Sequence, residues 1–169
     1  MPSQVPSHAG AGADTFLHVQ TKRAGKVKGE ATEPGHADDI HVVGWQWGVS
    51  AGSAIGNTQA TSRRSYSALT VHKQIDSATT ALMSALATND EVKEAKLTLR
   101  RAGGDQEDFF TIKLEKARIT SVQHSGEADG GTRETVTIAF TKVEVEYKPQ
   151  KSTGLRGGSH VFNDELVQN

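Results

Sequence analysis

Apolar and polar residues alternate along most of this chain, and that alternation limits what it can become. In "DTFLHVQ", Leu17 and Val19 share a face. In "DIHVVGWQWGV", the same spacing puts His41, Val43, Trp45, Trp47 and Val49 on one face and Gly44, Gln46 and Gly48 on the other. Successive side chains on a strand point to opposite sides, so this is strand periodicity. "SYSALTVHKQI" offers Leu69, Val71 and Ile75, "EAKLTLRR" offers Ala95, Leu97 and Leu99, and "FFTIKLEK" offers Phe110, Ile112 and Leu114. "ETVTIAFTKVEVEY" changes parity between Phe140 and Val143, which predicts a bulge or sharp bend near Thr141, as where one strand serves two sheets.

One segment has the helical period. In "DSATTALMSALATND", Ala78, Ala81, Leu82, Ala85 and Leu86 recur at helical spacing, with Asp76 or Ser77 as N-cap. Many strands and a single helix predict a mostly β fold: a two-sheet β-barrel or sandwich with one short α-helix packed against it. The predicted organisation is a disordered arm over 1–13, a β domain over 14–149 and a polar tail over 150–169. In that tail Val161, Phe162, Leu166 and Val167 are available to dock.

At 169 residues the chain is long enough for one domain with a real core. Its net charge of -1 argues against nucleic acid as the main partner. It has no cysteine, which removes disulfides, thiol nucleophiles and thiolate metal sites. No apolar run is long enough to span a bilayer. "MPSQVPSHAGAGAD" lacks the basic and apolar regions of a cleaved signal, so export, if it occurs, is expected to bypass one.

Three motifs suggest chemistry and are weakened by their context. "GVSAG", residues 48–52, matches the nucleophile-elbow pattern around Ser50, but no helical period follows it. "EPGHADDIH" gathers His36, Asp38, Asp39 and His41. Ile40 and Val42 show the chain entering a strand there, which predicts side chains splayed to opposite faces and a solvated loop, not a metal site. "AGGDQ" is a hairpin turn, because no helix follows it. The charged alternation in "KLTLRR", "KLEKAR" and "KVEVEYK" fits either the wet face of a sheet or a lateral interface between subunits. No catalytic residue, cofactor or metal ligand is expected.

"VKGE", "HADDIHVVGWQWGVS", "LTVHKQID", "AKLTLRRAGGDQ" and "VEVEYKPQK", in that order, resemble the haemolysin-coregulated protein (Hcp) family, the tube proteins of type VI secretion systems. The resemblance implies a structural protein, not an enzyme. It implies hexameric rings stacked into a hollow tube, assembled in the bacterial cytoplasm and propelled out by a contracting sheath behind a spike, with effectors carried in the lumen. Carried over, Trp45 and Trp47 anchor the barrel core, and Gln46 between them lines the lumen. The irregular stretch 50–64 is the expected ring-stacking loop, through Ser50, Ala51, Gly52, Ser53, Asn57, Thr58, Gln59, Arg63 and Arg64. Arg63 and Arg64 would meet acidic groups on the next ring or remain solvated. The rival readings are a monomeric β-sandwich binding module and a secreted serine hydrolase using Ser50.

Overall fold

A computed structural model describes residues 14–52, 55–56, 63–102, 107–150 and 158–166. Among them are twelve strands and one helix. In chain order they are β1 (Asp14–Thr21), β2 (Gly25–Lys26), β3 (Ile40–Val42), β4 (Gly44–Gln46), β5 (Val49–Ser50), β6 (Ser65–Tyr66), β7 (Leu69–Lys73), α1 (Thr79–Ala87), β8 (Val92–Arg100), β9 (Asp108–Gly126), β10 (Thr132–Ala139), β11 (Lys142–Tyr147) and β12 (His160–Glu165). The strands form a sandwich and do not close into a barrel. One sheet runs β2–β1–β8–β9–β11–β12, with β3 also on β1; the other runs β9–β10–β7–β4. β5 and β6 make a separate two-stranded ribbon.

β9 belongs to both sheets. Up to Ala117 it pairs with β8 and β11, and from Arg118 onward it pairs with β10. Two irregularities mark the passage. Lys116 has φ 48°, an uncommon conformation for a side chain with a Cβ. A register shift between Thr137 and Ile138 leaves Thr120 as an extra residue, a β-bulge that sharpens the local twist. These breaks move the inward positions from Leu114 to Ala117, Ile119 and then Val122. The expected bend near Thr141 is also present: β10 ends at Ala139 in one sheet and β11 begins at Lys142 in the other.

The core lies between the sheets. Leu17, Val19, Leu97, Ile112 and Leu114 face Leu69, Val71, Val136 and Ile138, with Ala78, Leu82 and Ala85 joining from the helix region. Each of the larger side chains contributes about 1.5–3 kcal/mol by leaving water. Leu86, expected inward, is partly exposed. α1 begins at Thr79 with Ala78 in the N-cap position, so neither Asp76 nor Ser77 caps it directly. Asp76 acts just upstream: the Ala78 N–H donates to its Oδ1 (2.9 Å), and its own N–H donates to Thr79 Oγ1 (3.0 Å).

Three departures from simple alternation have physical causes. The single face through His41, Val43, Trp45, Trp47 and Val49 does not form. β3 pairs with β1 while β4 pairs with β7, and the chain changes partner at Val43, which is 59% exposed. Ile40 and Val42 turn inward before that point, Trp45 and Trp47 after it. Ile75 is exposed, and Lys73 takes the inner position it was expected to hold. The Lys73 ammonium donates to Glu134 Oε2 (2.6 Å) and lies 2.8 Å from Asp76 Oδ1, and Thr79 Oγ1 also donates to Glu134 Oε2 (2.7 Å). Finally, the segment read as tail contains β12, which pairs with β11 over its whole length.

Candidate functional site

The site is built around β4. Its register on β7 sets Gly44 against His72, Trp45 against Val71 and Gln46 against Thr70. Val71 is fully buried, so Trp45 points inward beside it, with its ring 6.1 Å from that of Phe110. Gln46 faces outward and is exposed. Trp47, one residue past the strand, turns back inward and meets Tyr66, ring centroids 5.8 Å apart. Both tryptophans pack against the core and neither is wholly enclosed. Trp47 Nε1 is buried without a hydrogen-bond partner, an arrangement that costs about 1–3 kcal/mol.

Across the second sheet, Gln46 heads an outward row of Thr70, Thr137 and Ser121, and Gly44 heads a parallel row of His72, Thr135 and Gln123. Neither row contains a lysine, arginine or carboxylate, and His72 Nδ1 lies 3.1 Å from Thr135 Oγ1. The outward rows of the first sheet are charged. Lys96, Lys113 and Glu144 lie in one row, and Glu94, Glu115 and Lys142 in the next. Lys113 reaches Glu115 and Glu144 at 3.7 Å, and Lys142 reaches Glu115 at 3.4 Å.

Beside β4 the β5–β6 ribbon pairs Val49 with Tyr66 and Ser50 with Ser65. Ala51, Gly52 and Arg63 are exposed, and Ile55 is fully so. Ser53, Asn57, Thr58 and Gln59 lie outside the described residues, as do the arm 1–13 and the turn 103–106. Arg64 is bound within its own chain. Its Nε donates to Asp164 Oδ2, and its Nη2 donates to Asp164 Oδ1 (3.0 Å) and to the Glu165 carbonyl (3.3 Å). Tyr66 Oη donates to Asp164 Oδ2 (2.8 Å). Hydrogen bonds from Arg64 and then Tyr66 pull the Asp164 carboxyl down to about 2. Sequence reading missed Tyr66 and Asp164. Asp164 lies 100 residues from Arg64, in a segment whose adjacent Val161 and Phe162 do not alternate.

The geometry bears on the other motifs too. Ser50 ends a two-residue strand, and the one helix among the described residues starts only at Thr79, so the strand–turn–helix setting of a nucleophile elbow is not formed. His36 and Asp39 do not splay into a solvated loop; they are buried together. His36 Nδ1 lies 3.0 Å from Asp39 Oδ2 and its Nε2 lies 2.9 Å from Asp108 Oδ1. His18 and Lys26 each approach Asp39 Oδ1 at 3.3 Å, and the Phe16 ring stacks on His36 at 4.2 Å. Burial pushes the Asp39 carboxyl up, but hydrogen bonds from His18, His36 and Lys26 outweigh it and leave the group below its ordinary value. This network fixes the 28–39 loop against β1 and β9. Among the described residues no cluster of three or more His, Asp or Glu is arranged to hold a metal ion, and no helix is long and apolar enough to cross a membrane.

Comparison with known proteins converges on one group. The family model described as "Type VI secretion system effector, Hcp" matches residues 16–147. The chain is 34% identical over 152 residues to the protein hcp1 of Pseudomonas aeruginosa, covering 88% of this chain and 91% of that one. Among solved structures, one titled as a type six secretion system protein superposes with a TM-score of 0.79 at 28% identity, covering 91% of this chain and 96% of the other. Hcp1 from Salmonella typhimurium superposes with a TM-score of 0.72 at 25% identity, covering 92% and 95%.

Proposed function

This chain belongs to the Hcp family of type VI secretion proteins, and from that premise we propose that it is a structural subunit of the secretion tube. In this reading six copies close into a ring, rings stack into a hollow tube, and the tube leaves the cell carrying effectors in its lumen. The observation that carries the reading is the family match over residues 16–147, because that span takes in the helix, β2 through β11 and all but the first two residues of β1. The second sheet's outer face, with Gln46 on it, is the proposed lumen wall. The hydroxyl and amide rows around Gln46 support that placement, since such a stretch of wall holds cargo without a fixed charge preference; Arg133, exposed on the same face beyond Thr135, is a cation on it. The 50–64 loop is proposed to reach the next ring. Sheath, spike and effectors are the proposed partners, with assembly in the cytoplasm and exit through the type VI machinery. A heterologous contact between identical subunits closes into such a ring when its rotation permits.

Mass in solution tests the reading directly. The expected particle has six times the 18.0 kDa chain mass and a central hole in electron micrographs. A monomer at every concentration would overturn it and favour a monomeric binding module. Gln46→Arg tests the wall: rings should form normally and co-purify with less effector, because each subunit adds a charge to the channel. Unchanged effector recovery would remove Gln46 from the lumen.

A further inference from the structure

We infer that Asp164, on the C-terminal strand β12, is a positioning residue for the β5–β6 ribbon, and that through Arg64 and Tyr66 it holds the base of the loop proposed to reach the next ring. The inference rests on the proposed stacking role of that loop and adds what holds its base.

The Asp164 carboxylate is saturated. It accepts from Arg64 through two nitrogens, from Tyr66 Oη and from the Glu165 N–H (2.9 Å). A paired Arg–carboxylate fork fixes orientation as well as distance, unlike an ordinary single contact between surface charges. The fork sits at the base of the loop, because Arg64 is the residue immediately before β6. Tyr66, within β6, carries the same constraint to the core: its ring lies 5.8 Å from that of Trp47 and 5.6 Å, edge-on, from that of Phe140. At the other end β12 is itself anchored, by its pairing with β11 and by the Leu166 N–H on the Thr141 carbonyl (2.7 Å). The ribbon has only two paired residues on each strand and does not join either sheet. This clasp and the contacts of the Tyr66 ring with Trp47 and Phe140 tie its β6 side to the body. A loop whose base is held in place has less freedom to lose on docking, which strengthens the contact without adding to it.

The clasp is present at any pH where the carboxylate is charged. Because its folded value lies near 2, below the ordinary 3.8, its contribution is complete above the ordinary value and is lost as pH falls through about 2. Assembly near neutral pH therefore finds the clasp closed.

The test uses the full chain. It contains no cysteine, so Ser50→Cys and Gln123→Cys supply the only two sites for spin labels, with labelled subunits diluted into unlabelled rings. Asp164→Asn should leave ring mass unchanged, lower the melting temperature slightly, broaden the ribbon-to-sheet distance distribution, and lower secretion into the medium by about fivefold or more. The exchanged pair Arg64→Asp with Asp164→Arg should restore a narrow distribution and most of the secretion. An unbroadened distribution in Asp164→Asn overturns the inference, as does loss of the ring itself. A broadened distribution with normal secretion, alongside normal secretion after the loop is shortened, overturns the stacking reading and leaves the clasp standing. Normal secretion in Asp164→Asn alone, with shortening still harmful, overturns the positioning role.

Discussion

The two sheets bury the same kinds of residue and display different ones. Inward, each presents leucine, isoleucine and valine to a shared core. Outward, the first sheet carries a grid of Lys96, Lys113, Glu115, Lys142 and Glu144, in which Lys113 and Lys142 pair with carboxylates on their own and neighbouring strands. The second sheet shows Gln46, Thr70, Thr137, Ser121, Thr135 and Gln123. Beyond those rows Arg133 is exposed on the same face, while the charged pair Lys73 and Glu134 is kept inside. The inner faces answer to burial alone, so they converge. The outer faces answer to what they meet, so they diverge: a charged grid suits bulk solvent or a charged neighbour, and a neutral hydroxyl surface suits an enclosed channel. That divergence supports the proposed assignment of the second face to the lumen.

The contrast between charge kept inside and charge displayed outside should appear most strongly on removing Lys73. Lys73→Ala leaves Glu134 buried and uncompensated and should cost about 3–5 kcal/mol in chemical denaturation. Replacing both by apolar residues, Lys73→Met with Glu134→Leu, should recover most of that loss. A single variant of near-native stability would mean that the inner pair behaves like the outer ones. Next, Trp47→Ala should cost about 3 kcal/mol, at the lower end for a tryptophan because its ring is half-buried. Its neighbour Gln46→Ala should stay within about 0.5 kcal/mol. The reverse order would exchange the two faces of β4.

An acid titration separates another interior charge from the surface grid. Asp39 is held below its ordinary value of 3.8, so its contribution is complete above that value and is lost as pH falls through the lower folded one. Asp39→Asn should lower stability at neutral pH and flatten the acid limb of the stability curve. An unchanged acid limb would remove Asp39 as its source. The smallest effect belongs to the grid itself: Lys113→Ala should cost about 0–1 kcal/mol, shrinking further in high salt. A larger, salt-independent loss would show that this face is covered in the assembled protein.

Alternation made most of the sandwich legible. β1, β7, β8, β10 and β11 each read as strands, and the change of parity at Thr141 located a passage between sheets. Legibility failed where the backbone itself departs from the two-residue period. Lys116 and the bulge at Thr120 hid the second half of β9, and the change of partner at Val43 moved the inward face of the tryptophan segment. It failed again where a polar residue is buried by a specific partner. Lys73 reads as a surface lysine until Glu134 is placed beside it, and His36 reads as a loop histidine until Asp39 and Asp108 close on its two nitrogens. The Arg64–Asp164 clasp is of the same kind. Arg64 was expected either to meet the next ring or to be solvated, and nothing local in the sequence points to an aspartate at the far end of the chain.

The shared strand β9 has a mechanical consequence. In a sandwich of two independent sheets, the layers slide by exchanging side-chain contacts, and the resistance is only that of packing. Here one covalent backbone of 19 residues runs through both layers. Sliding one layer along the other would have to bend β9 at its irregular middle or strip one of its halves, from β8 and β11 or from β10. A push delivered to either layer is therefore carried into the other through the main chain, and the subunit moves under load as one piece.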